Sequence, residues 1–86
     1  MRLESNLALI EYINKFKTSL IESDNVLLSR EVDKGLSSLN GFTDGWAMLL
    51  ESVVLVKRKF QSELNNAQLN ELDNIIKSVR NLLYPS

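Results

Sequence analysis

A chain of 86 residues with 44% hydrophobic and 24% charged side chains reads as one small folded domain, with too much apolar content for a disordered tail and no room for a core plus a deep pocket. A formal net charge of −1 provides no long-range attraction toward nucleic acid or an anionic lipid surface. With no Cys and no His, a disulfide framework, a thiolate zinc site, a cysteine nucleophile and the commonest general base are excluded.

The first 21 residues are amphipathic, but Arg2, Glu4, Glu11, Lys15 and Lys17 interrupt any apolar run. Neither a signal peptide nor a membrane span is expected, since a span takes roughly 20 consecutive apolar residues. The expected location is the cytoplasm. The first helix is predicted over 6–22, with Leu9, Ile13, Phe16 and Leu20 on one stripe. Glu11 and Lys15, four apart, belong to its wet face. Ser23, Asp24 and Asn25 end it, because their short polar side chains compete for backbone groups.

A second helix is predicted over 26–39, with either Asp24 or Ser29 as its cap. Leu28, Val32, Leu36 and Leu39 form its apolar face. Gly35 interrupts this helix. It either lets another helix approach closely or weakens the element by about 1 kcal/mol relative to Ala. Asn40-Gly41 is the expected stop.

The third helix is predicted over 44–64, capped by Thr43 with Asp44 in its first turn. Trp46, Leu50, Val53, Val56 and Phe60 make its stripe, extended by Leu49 and Leu64. Val54 and Leu55 widen that face and make this the central helix. Asn65-Asn66 then turns the chain into a fourth helix over 67–83, whose stripe is Leu69, Leu72, Ile76, Val79 and Leu83. Asn65 with Gln68 resembles a capping box, and Pro85 forbids further helix.

These elements predict an all-α fold: a single-domain, antiparallel, up-down-up-down four-helix bundle. No internal repeat or linker is visible. The most site-like segment, 40–46, combines Gly41 and Gly45 with Phe42, Asp44 and Trp46 at one end of the bundle. It reads either as a loop presenting aromatics to a partner or as a staple fixing the entry of helix three. Lys57, Arg58 and Lys59 form the one basic run, read either as a grip on phosphates or an acidic partner or as a solvated face near a helix end where the dipole favours positive charge. Their 100° steps spread them around the helix, and Lys77 and Arg80 are expected to stand apart from them.

No catalytic residue, cofactor site or metal site is expected. Glu-x-x-His pairs cannot occur, and the carboxylates match no calcium loop. Tyr12, Leu7, Leu27, Leu55 and Leu82 lie at the margins of the stripes and would form a patch if exposed together. The expected function is a small non-enzymatic protein-binding module (adaptor, inhibitor or immunity-type protein) using a helical face and the 40–46 loop. Its partner is expected to be another protein, not nucleic acid, a membrane or a small-molecule substrate. The alternatives are an assembly subunit that self-associates through its helices, as in a homodimer, and, further off, a DNA-binding regulator.

Overall fold

The structure, a computed structural model, describes residues 6–39 and 45–84. They form α1 (Asn6–Glu22), α2 (Val26–Ser37), α3 (Gly45–Phe60) and α4 (Asn66–Leu83), with a short 3-10 turn at Gln61–Glu63. The described residues contain no strand. Each helix packs on its sequence neighbour, and α1 closes the ring against α4. This is the antiparallel four-helix bundle that the apolar spacing implies. The radius of gyration, 12.0 Å, is close to the roughly 12 Å expected of a folded chain of this length.

The α1 stripe is buried as expected, at Leu9, Ile13, Phe16 and Leu20; of the α2 stripe Leu28 and Val32 are buried, while Leu36 and Leu39, at the end of the helix, pack only partly against the core. In α3 the face turns slightly. Leu49, Val53 and Val56 are fully buried, while Trp46, Leu50 and Phe60 pack only partly against the core. In α4, Ile75 joins Leu72, Ile76 and Val79 in the interior.

Helix ends shift from expectation for local reasons. The α2 helix stops at Ser37, and the Ser38 and Leu39 amides tighten into bonds to the carbonyls of Gly35 and Leu36. Its N-cap is Asn25, without a side-chain capping bond, in place of Asp24 or Ser29. Asp24 takes a left-handed φ of 64°, which turns the chain out of α1. The α3 helix ends at Phe60, not 64. Leu64 is extended and is buried from outside the helix. Asn40-Gly41, Thr43 and Asp44, expected at helix boundaries, and Pro85 lie outside the described residues.

The close-approach reading of Gly35 is the one realised. The α2 helix runs through it without a break, and a Cβ there would stand 2.7 Å from Leu49 Cδ1 and 3.0 Å from Ser52 Cβ. At the start of α3, a Cβ on Gly45 would collide with the Ser38 carbonyl oxygen, so both glycines let α2 and α3 come together.

A polar knot ties one end of the bundle. The Asn65 side chain accepts from the Gln68 amide at 2.8 Å, and Gln68 Oε1 accepts from the Asn65 amide at 3.1 Å. The buried Gln68 side chain also donates to Ser23 Oγ at 2.9 Å. Asn25 Nδ2 donates to the Glu63 carbonyl at 3.4 Å. Helix capping is thereby joined to the contact between the α1/α2 turn and the α3/α4 turn. Asn65→Ala should lower stability by about 0.5–2 kcal/mol. Thermal denaturation followed by circular dichroism would show a drop of several degrees for a domain this small; an unchanged midpoint would mean that water replaces the cap without cost.

The structure also reveals a relation that residue identity hides. A shift of 40 positions, as from Leu9 to Leu49, carries the α1/α2 hairpin onto the α3/α4 hairpin. Ile13 falls on Val53, Phe16 on Val56 and Val32 on Leu72, and all eight of these residues are buried. The N-caps Asn25 and Asn65 coincide. So do two cross-hairpin ion pairs, Lys17–Asp33 at 2.9 Å and Lys57–Asp73 at 2.5 Å. These burial positions and this ion pair recur at a 40-residue offset, although the two turns and their capping differ: Asn65 caps α4 with its side chain and Asn25 makes no such bond.

Candidate functional site

Of the three residues singled out in the 40–46 segment, Phe42 and Asp44 lie outside the described residues. Trp46 is half-buried in the first turn of α3 and packs against the hydrophobic core. That placement agrees with a role in holding the entry of α3, with part of the ring left in solvent. The buried Gly45 brings this first turn against the end of α2, so the 40–44 segment joins two backbones held in contact.

The basic residues are arranged differently from expectation. Lys57 and Arg58 line one groove together with Lys77 and Arg80. Lys57 and Arg58 follow Val54 by three and four positions, which places all three on one side of α3. Asp73, Ile76, Lys77 and Arg80 recur at three, four and seven positions and share one side of α4. The Lys57–Asp73 pair sets the two stripes opposite each other. Only Lys59 leaves the groove, as the 100° steps imply. The expected separation of Lys77 and Arg80 fails because a stripe on an antiparallel partner runs along the groove, where long cationic side chains span the distance.

The groove has an apolar floor. Val54 is half-buried and Ile76 is 6% exposed. Lys57 is the one cation of the four with an ion pair; Arg58, Lys77 and Arg80 are exposed and make none among the described residues. With Asp73 offset by Lys57, the rim presents three uncompensated positive charges on a chain whose net charge is −1.

The marginal apolar residues divide. Tyr12 and Leu82 pack partly against the core, and the Tyr12 hydroxyl accepts from Asn74 Nδ2 at 3.4 Å. Leu7, Leu27 and Leu55 are exposed. Leu7 and Leu27 begin α1 and α2, at opposite ends of an antiparallel hairpin, so they do not form one patch. No described helix is long and apolar enough to cross a membrane. Set against known protein families, curated proteins and solved structures, the chain matches none.

Proposed function

We propose that this chain is a small, non-enzymatic protein-binding module, an adaptor, inhibitor or immunity-type protein, acting through a helical face and the 40–46 loop. It works in the cytoplasm without a cofactor, and its partner is another protein. The observation that carries the reading is the α3/α4 groove, in which unpaired cations surround an aliphatic floor on two packed helices. A recognition surface of this kind combines desolvation at its centre with charge selection at its rim. The partly exposed Trp46 beside the 40–44 segment adds an aromatic of the type enriched where binding energy concentrates.

Affinity purification from the native host, repeated with the Phe42→Ala/Asp44→Ala double variant, tests it. The expected result is one captured protein, held about tenfold more weakly by the variant at unchanged helicity. Unchanged capture would remove the loop from the binding surface. Concentration-dependent oligomers in light scattering, with no captured protein, would favour the assembly reading instead.

A further inference from the structure

Two grooves of this bundle occupy equivalent places, one in each hairpin. The α1/α2 groove is lined by Asn14, Asp33, Leu36 and Ser37 among others. Forty positions later stand Val54, Asp73, Ile76 and Lys77, which line the α3/α4 groove. The two can therefore be compared position by position, each serving as a control for the other.

What the fold requires is present in both. Each hairpin has a Lys–Asp bridge, Lys17–Asp33 and Lys57–Asp73, and the Asp of each lines its groove. Each has an aliphatic residue on its second helix, Leu36 or Ile76. What differs is charge. Arg58 and Lys77 correspond to Thr18 and Ser37, of which Ser37 lines the first groove, while position 40, the counterpart of Arg80, lies outside the described residues. The first hairpin packs and bridges with no cation at Thr18 or Ser37, so hairpin stability does not call for Arg58 and Lys77.

The helix dipole, which favours cations in a last turn, accounts for part of the difference: α3 has Lys57, Arg58 and Lys59 there, and α2 of the first hairpin has Lys34. Lys77 precedes the last turn of α4, where Arg80 is the basic residue. Val54 in place of Asn14 completes the contrast, because it makes the floor of the charged groove more apolar than that of the neutral one.

From this contrast we infer that the α3/α4 groove is a docking site for an acidic amphipathic segment of a partner protein, a reading that rests on the protein-binding function proposed above. Acidic side chains of the segment pair with Arg58, Lys77 and Arg80, and an aliphatic side chain lies over Val54 and Ile76. Nucleic acid fits less well. The groove lining includes the Asp73 carboxylate and no aromatic ring for base stacking.

The probe is a synthetic helical peptide that alternates Glu with Leu at helical spacing, titrated into the full chain while backbone amide shifts are recorded. A Gln-for-Glu version of the peptide and a DNA duplex are run alongside. Shifts should cluster at Val54, Arg58, Ile76, Lys77 and Arg80, weaken with salt, and be lost with the Gln peptide. The Arg58→Thr/Lys77→Ser/Arg80→Asn variant, which copies the first hairpin, should bind about tenfold or more weakly while melting within a few degrees of the parent. Should it melt much lower, Lys77→Ser alone is expected to give a smaller loss in the same direction. The transplant Thr18→Arg/Ser37→Lys should add peptide-dependent shifts at Asn14 and Leu36. Shifts elsewhere or none at all, equal binding by the stripped variant, or tighter binding of the duplex in this groove would each overturn the inference. If the stripped variant still captures the native partner at full strength, the groove is wrong and the protein-binding reading stands.

Discussion

Phe16→Ala is expected to cost about 3–5 kcal/mol, the range for deleting a buried aromatic side chain. Phe16 heads the fully buried side chains in volume and is 1% exposed. Truncation leaves a cavity, because interiors packed to crystal-like density close only in part around a missing group. A domain of this length has a total stability of about 4–13 kcal/mol, so the variant loses a large share of what holds it folded. The equivalent position in the second hairpin carries Val56, also fully buried. Phe16→Val should therefore cost less than Phe16→Ala, since it leaves a smaller void in a seam that accepts Val elsewhere. Urea titration followed at the helical circular dichroism band distinguishes these outcomes. A loss under about 1 kcal/mol for Phe16→Ala would mean that the helices collapse into the space, and that the core is less specific than its burial indicates.

Gly35→Ile is expected to separate α2 from α3 or unfold the chain. The counterpart of Gly35 in the second hairpin is the fully buried Ile75, so the substitution asks whether the two seams are interchangeable. Geometry says they are not. The α2/α3 seam pairs Gly35 with Leu49 and Ser52, whereas the α1/α4 seam has Ile75 on one helix and Tyr12, the counterpart of Ser52, on the other. The small Gly35 brings α2 close against α3, while the larger Ile75 and Tyr12 belong to helices that make the less extensive contact. An Ile at position 35 has to displace Leu49 and Ser52, and overpacking of this kind costs about 1–3 kcal/mol or more. Gly35→Ala gives the contrasting case. Helix propensity gains about 1 kcal/mol, offset by the approach to Leu49 Cδ1 at 2.7 Å and Ser52 Cβ at 3.0 Å. Its net effect should be small beside that of Ile. If Gly35→Ile melts like the parent, the close approach of α2 and α3 is not what the fold depends on.

The helix count, the α1 stripe and the Asn65–Gln68 capping box were all legible in the sequence, because each is set by spacings of three and four residues within one segment. The α3 face was less so. Trp46, Leu49 and Leu50 are all apolar, and periodicity alone does not say which one points at the axis. The small Gly35 on the facing helix selects Leu49. The candidate site was legible only in part. Lys57 and Arg58 stood out as a run, but a run along the chain fans around a helix. The informative pattern was Val54-Lys57-Arg58 opposite Asp73-Ile76-Lys77-Arg80, and recognising it requires knowing which faces of α3 and α4 adjoin.

The sequence by itself determined that this protein is helical and roughly where the first and fourth helices lie, since hydrophobic period and caps act over one or two turns of chain. Tertiary structure alone decided that burial positions recur between the two hairpins and that their grooves differ in charge. Substitution has left few identities between the halves, yet burial at a position is imposed by the neighbouring helix and survives changes from Phe to Val or Ile to Val. The gathering of Arg58, Lys77 and Arg80 has the same origin: charges distant along the chain share a surface only once packing has fixed which helices are neighbours.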